Sequence, residues 1–245
     1  PKNTTGGMGF DYTGNIFVLA KNTYIAKYTY DGTSWSRTAN ISTTDSSWSH
    51  GVAREAGSVN VSHDGNIIFV VFRGQHNVQK HYLFGEQWKA RGVVLDSSLN
   101  VVSSTVINSN GNTNKHRPGF SVGMNSAGTR VVISNQFNQG DNLVTIYDIT
   151  TSFTDIKKFT KEDLNSSTSY GASVDMSSDG NRIIIGSRKD ISNNKDYLGS
   201  VSIFDYSNNS WNLVGEKMYG DISLNNTTWG NTDRNGGYNF GEIVK

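Results

Sequence analysis

The side chains able to do chemistry in this chain are scattered, and their spacing names no reaction. Five histidines, His50, His63, His76, His81 and His116, fall in different stretches without the close pairing of an HExxH-type metal helix. There is no cysteine, which removes thiolate zinc sites, disulfides and cysteine nucleophiles together. Serines abound, yet no GxSxG elbow occurs to present one as a nucleophile. Glycoside hydrolysis needs two carboxylates facing one another. Asp175 is expected on a strand lining an axis, but its counterparts in the related segments are Gly9, Asn60 and Gly123, so no second acid joins it. The string DISNNKD, Asp190 to Asp196, offers oxygen ligands for calcium but carries a lysine and lacks the glycine of a compact calcium loop. These residues predict no metal, no cofactor and no catalytic activity.

Residues suited to recognition are easier to find. Trp48 and Trp229 lie in the polar strings TTDSSWSHG and NNTTWGNTDRNGG, at similar distances before a repeated glycine. Such tryptophans stack on sugars or anchor proteins when exposed; their near-equivalent positions, shared with Leu164, favour an apolar plug beneath each loop. A further candidate surface is the asparagine-rich tip containing Asn110, Asn112 and His116, at the end of RGVVLDSSLNVVSSTVINSNGNTNKHRPG. The stretch around LDSSLN reads as an extra hairpin that either docks a neighbouring subunit or elongates one unit. Trp48, Trp229, Asn110, Asn112 and His116 are the candidate ligand- or partner-binding residues. The N-x-S/T strings carry little weight in a chain so rich in Asn, Ser and Thr.

The elements that must position these residues repeat. GASVDMSSDGNRIIIGS from Gly171 has echoes at Gly57, Gly119 and Gly6, and alignment places Gly14, Gly65, Gly128 and Gly180 in register at separations of 51, 63 and 52 residues. That period suits four-stranded units with long connections. Before each glycine runs an alternating strand, with Met8 and Phe10, Val59 and Val61, Val122 and Met124, or Val174 and Met176 on one face. Its other face is small or polar, as expected near an axis. The glycine supplies the positive φ of a tight turn, and Asp64 and Asp179 precede it as turn formers. Next come short apolar runs such as Ile67 to Val71 and Ile183 to Ile185, which predict central strands covered on both faces.

A third strand is expected at Thr23, Asn77, Leu143 and Ser200, and an outer strand opened by Trp35, Trp88 and Trp211, with Phe153 in the third unit. The string TTSFTDIKKFTKED could instead hold a short helix. These signals predict an all-β fold, a β-propeller of four-stranded antiparallel blades, with four repeats and a partial fifth at GGYNFGEIVK. The units run approximately 1–50, 51–112, 113–164, 165–230 and 231–245, in a single propeller domain or fragment.

Composition bounds the partners. With 22 basic and 21 acidic residues, in no blocks, there is no electrostatic reason to expect nucleic acid. No apolar run approaches the ~20 residues of a membrane span. The opening PKNTTGG is neither a signal peptide nor an initiator methionine, and reads as the start of an internal fragment.

The pattern GxSVxMSxDGxRxxIGS followed by GxVxIFDYxxxxWxxVG, best seen from Gly171 to Gly215, resembles the repeats of large β-propeller proteins of marine bacteria, their phages and algal giant viruses. That resemblance implies an extracellular, cell-surface or virion-borne interaction module within a longer polypeptide, and it carries no catalytic residues. Integrin-like propellers hold calcium through an acidic cluster that is not found here, and WD repeats have a shorter period. The expectation is a non-catalytic module for assembly or attachment, with protein subunits or surface glycans as partners. The alternatives are a carbohydrate-active enzyme with an axial pocket and a pure lectin.

Overall fold

The computed structural model describes residues 6–21, 23–43, 53–75, 89–108, 117–136, 144–160, 162–164, 173–187 and 199–220. They form four antiparallel sheets in chain order. The first holds β1 (Gly7–Phe10), β2 (Ile16–Ala20), β3 (Tyr24–Tyr30) and β4 (Trp35–Ser42). The second holds β5 (Ala53–Val61), β6 (Ile67–Gln75), β7 (Lys89–Asp96) and β8 (Val101–Asn108). The third holds β9 (Arg117–Met124), β10 (Arg130–Gln136), β11 (Val144–Asp148) and β12 (Thr154–Phe159). The fourth holds β13 (Ser173–Met176), β14 (Arg182–Ser187), β15 (Ser200–Ser207) and β16 (Ser210–Leu213), and β17 (Met218–Tyr219) continues the outer position along β15.

Each sheet is a simple meander, and the alternation of its first strand decides how sheets meet. Met8 pairs with Leu19 and Phe10 with Phe17, so these share one face; Gly7, Gly9, Val18 and Ala20 share the other. The small-residue face presses on the next sheet. A Cβ on Gly9 would come within 2.8 Å of Val59 O, and one on Gly123 within 2.7 Å of Asp175 Cα. Ser121 Oγ bridges to β13, accepting from Val174 N at 3.1 Å and donating to Val174 O at 3.3 Å. First strands thus stand side by side, β1 to β5 to β9 to β13, and the sheets splay outward from them as blades. The chain is a β-propeller built of four-stranded antiparallel blades.

Three apolar layers fill the spaces between sheets. Val18, Ala20 and Ile25 meet Val59, Ile68, Val70 and Phe72; Phe69, Val71 and Ile107 meet Val131, Ile133 and Tyr147; Val132, Val144, Ile146 and Phe159 meet Val174, Ile183, Ile185 and Phe204. The unbroken run Ile68 to Val71 is therefore buried on both faces, as its lack of alternation predicts. In the first sheet only Val18 and Ala20 of β2 are buried, while Phe17 and Leu19 are half-exposed.

The second sheet departs from the expectation. Lys89–Asp96 pairs with β6 and is its third strand, and Val101–Asn108 is the fourth. The LDSSLN hairpin belongs to the blade instead of being added to it, and the outer strand does not open at Trp88. The expected third strand at Asn77 lies outside the described residues. Two apolar stretches flanking a tight turn fit an ordinary blade hairpin as well as an inserted one, and periodicity alone does not separate them. The turn is tight enough to hold Leu99 at φ 67°, with its side chain buried between the first two sheets.

In the third sheet the sequence between Thr154 and Phe159 is a strand, not a helix. Phe153 precedes it as expected, its ring 6.0 Å from Phe69 and 5.9 Å from Tyr147. Trp35 opens β4 and Trp211 lies in β16. The proposed strand at GGYNFGEIVK lies outside the described residues.

Candidate functional site

The turns carrying the repeated glycines gather at one end of the first strands, each closed by a side-chain oxygen three residues before its glycine. Asp11 Oδ1 accepts from Ile16 N at 2.8 Å, Ser62 Oγ from Ile67 N at 2.9 Å, Asn125 Oδ1 from Arg130 N at 2.9 Å, and Ser177 Oγ from Arg182 N at 2.9 Å. In the second and fourth turns that serine donates to the aspartate before the glycine, Asp64 or Asp179, at 2.6 Å. The first turn exchanges the two groups: Thr13 donates to Asp11.

These bonds set the charge state. The Ser62 and Ser177 hydroxyls, with the amides of Asn66 and Asn181, hold the Asp64 and Asp179 carboxyls below the usual range. Burial pushes Asp11 up, but the Thr13 hydroxyl and the Ile16 amide outweigh it, and the net shift is downward. Asp96 is likewise lowered by Asn100. Aspartates tied into turns as acceptors are poor proton donors.

Asp175 pairs with Ile184 and so points away from the third sheet, against which Ile183 and Ile185 pack. It sits on the outward face of the fourth sheet, half-buried, with Oδ1 accepting from Met176 N at 2.9 Å. At its counterparts Gly9 and Gly123 this face meets a neighbouring first strand. Among the described residues no cluster of three or more His, Cys, Asp or Glu could hold a metal, and no helix is long and apolar enough to cross a membrane.

Adjacent turns are stitched together. His63 N donates to Ser126 O at 2.8 Å, and Ser126 N to Ser178 O at 2.9 Å. Tyr12, the matching residue of the first turn, stacks on His63 with centroids 4.2 Å apart. A second contact crosses each interface: the side chain two residues after one glycine touches the next glycine. Ile16 covers Gly65 and Ile67 covers Gly128, whereas at Gly180 the Asn125 side chain is nearest, at 3.2 Å, with Arg130 Cδ beside it at 3.5 Å. Arg130 Nη1 also donates to Gly180 O at 2.8 Å, and its guanidinium lies 5.6 Å over the Tyr206 ring.

The first sheet's outward face is apolar and open. Met8 is 64% exposed, Phe10 53% and Trp35 46%, whereas Val59, Val174 and Met176, at the matching positions of later first strands, are 7%, 2% and 8% exposed. Phe10, Phe17, Tyr28, Tyr30 and Trp35 form a chain of ring contacts across this face. Sequence reasoning placed Met8 and Phe10 on a shared face but did not mark it as a candidate surface. No letter marked it: IFVLA in β2 is apolar throughout, the pattern that predicts a strand covered on both faces, yet Phe17 and Leu19 are only half-buried because no described sheet stands in front of them.

The five candidate binding residues, Trp48, Trp229, Asn110, Asn112 and His116, all lie outside the described residues, as does the DISNNKD string. The structure brings His63 and Tyr12 together instead.

No family model matches the chain, and no curated protein matches it. Solved structures do. A "putative 6-phosphogluconolactonase" from Bacteroides uniformis superposes with TM-score 0.53 at 9% identity, covering 89% of this chain and 56% of that one. Hydrazine synthase from Kuenenia stuttgartiensis gives TM-score 0.51 at 10% identity, covering 87% and 48%. The β-propeller domain of Cps50 (Swd1) from Myceliophteria thermophila gives 0.44 at 12% identity, covering 83% and 52%. The chain spans about half the length of these structures, and at such identities the likeness concerns fold alone.

Proposed function

We propose that this propeller is a non-catalytic assembly module of a larger surface or virion structure, acting through sheet faces and loops in an extracellular setting. The observation that carries this reading is the open face of the first sheet: Met8, Phe10 and Trp35 are exposed at positions where the same repeat elsewhere buries or half-buries its side chains against a neighbour. Contiguous exposed apolar surface on a rigid frame is the mark of a contact surface. The aspartates of the repeat turns support it from the other side, since Asp11, Asp64 and Asp179 are held as hydrogen-bond acceptors with their carboxyls below the usual range. The repeat resemblance to surface and virion propellers agrees with the setting.

The competing classes differ in what they release and bind. Incubation with algal and bacterial polysaccharides, followed by chromatographic product analysis, is expected to yield no new saccharide, and a glycan array is expected to stay blank. Released product would make the chain an enzyme; array binding without product would make it a lectin. Either would overturn the assembly reading.

A further inference from the structure

The fourth sheet ends in an arginine whose counterpart shows what it is built to hold. Arg182 occupies the repeat position of Ile16, Ile67 and Arg130, each of which touches the next blade's turn glycine. Arg130 reaches forward, bonding Gly180 O and lying over Tyr206. Arg182 has no described blade ahead of it and folds back on Asp205, with Nε and Nη2 each at 2.6 Å from a carboxylate oxygen. Its Nη1, the atom by which Arg130 takes the carbonyl, has no hydrogen-bond partner among the described residues.

The matching receptor is on the opposite outer face. Of the four turn glycines Gly14 alone has open space around its Cβ direction, with nothing within 4 Å among the described residues. Tyr30 stands to Gly14 as Tyr206 stands to Gly180: Tyr30 N donates to Asn15 O at 2.8 Å, and Tyr206 N to Asn181 O at 2.7 Å. Each tyrosine pairs with a tryptophan, Tyr30 with Trp35 and Tyr206 with Trp211, at 5.4 Å between centroids. The pocket that receives Arg130 inside the molecule is thus repeated, unfilled, on the first sheet. Beside it lie Met8 and Phe10, whose counterparts Val59 in β5 and Val174 and Met176 in β13 are buried.

We propose that the first sheet's open face is a docking surface for the fourth sheet of a second copy of this chain, joined head to tail, with Arg182 donating to Gly14 O and lying over Tyr30. The proposal rests on the assembly reading above and names its partner. Both halves of the contact are present in one sequence, and each is a copy of an interface the molecule already forms, so the complementary surface is this chain's own. A heterologous contact of this kind closes into a ring when its rotation permits; two copies would bring eight described sheets into it.

Cross-linking tests the contact, because the chain has no cysteine of its own. Ser178 of one copy is expected beside Tyr12 of the other, as Ser126 is beside Ser178. Mixing separately purified Tyr12→Cys and Ser178→Cys chains under oxidising conditions is expected to give a covalent heterodimer, with little homodimer from either alone. Sedimentation of the unmodified chain is expected to show a species above 26.9 kDa that grows with concentration. Arg182→Ala is expected to weaken association about tenfold or more, as for loss of one charge-assisted bond, while loss of the solvent-exposed Asp205 pair lowers the monomer's melting midpoint by no more than about 4 °C. A 26.9 kDa particle at every concentration, with no mixed disulfide, would overturn the proposal and leave the face to another polypeptide. So would an intramolecular disulfide in the Tyr12→Cys/Ser178→Cys double variant, by showing the two faces joined within one molecule. None of these readouts depends on saccharide release or glycan binding, so the two readings fail separately.

Discussion

Asp11 and Thr13 carry, in exchanged order, the chemistry of Ser62 and Asp64. What all four turns share is an oxygen acceptor three residues before the glycine; three of them add a hydroxyl–carboxylate pair across the loop, in which the position of the carboxylate is secondary, and the third turn along the chain, with Asn125 and Ala127, does without it. Asp11→Ala is therefore expected to cost about 1–2 kcal/mol by stranding the Ile16 amide. The double exchange Asp11→Ser with Thr13→Asp should return to within about 0.5 kcal/mol of the parent in urea denaturation, and failure to recover would refute the equivalence. The sequence showed the aspartate before the glycine, but the partner column stayed hidden because Asp, Ser and Asn share acceptor geometry without sharing a letter. Protonation acts on the same bonds. Asp64 and Asp179 have folded pKa values below their unfolded ones, so their contribution is present above about pH 4 and is lost as pH falls through the lowered values. Melting midpoints followed by circular dichroism should decline on that acid limb, and less steeply in Asp64→Asn/Asp179→Asn. Tyr147 works at the other extreme. Burial, reinforced by Asp155, raises it to about 12, so the unfolded chain ionises this phenol first and stability declines from about pH 10 upward. Spectrophotometric titration should find the Tyr147 phenol ionising only at about pH 12, a phase absent from Tyr147→Phe.

Each blade is an element whose turn glycine faces two separate demands, backbone sign and space, and the repeats allow them to be told apart. Gly14 and Gly128 have φ of 72° and 66°, but only Gly128 is covered, with its Cβ direction 2.6 Å from Ile67 Cβ. Gly14→Ala should therefore cost only the left-handed backbone term, about 1–2 kcal/mol. Gly128→Ala should cost clearly more, because Ile67 would have to move within a packed interface. Equal losses in thermal denaturation would show that the covering side chain is unimportant. The strands were legible because covered and half-covered surfaces leave different letter patterns: Ile68 to Val71 unbroken, Met8 and Phe10 alternating with glycine. The third and fourth strands of the second blade were not, since residues 89–108 alternate much as an inserted hairpin would. Nothing in one strand's sequence records which neighbour it pairs with. The role of Gly7, Gly9 and Gly123 was half legible: small residues predicted crowding, but the crowding body is the next first strand and not an axial channel.

At the scale of the whole molecule, one repeat position is used in two environments, and the difference measures how far the assembly extends. Met8 and Val174 are equivalent in the first strands of the first and fourth sheets, yet one is 64% exposed and the other 2%. No single strand foretells this, because exposure depends on whether a neighbouring sheet stands in front of it. Val174→Asp would bury a carboxylate among Val132, Ile146 and Ile185 without a partner. A loss of at least about 3 kcal/mol is expected, a large share of the ~5–15 kcal/mol that stabilises a domain. Met8→Asp makes the same chemical change in water, and in dilute solution should alter stability by no more than about 0.5 kcal/mol. The two should differ again in association: a carboxylate at Met8 places an unpaired charge where the second copy's first strand would close, so concentration-dependent growth in sedimentation should vanish while the fold survives. A Met8→Asp chain that melts as early as Val174→Asp would mean that the open face is covered within the molecule; one that still associates would mean that copies meet elsewhere.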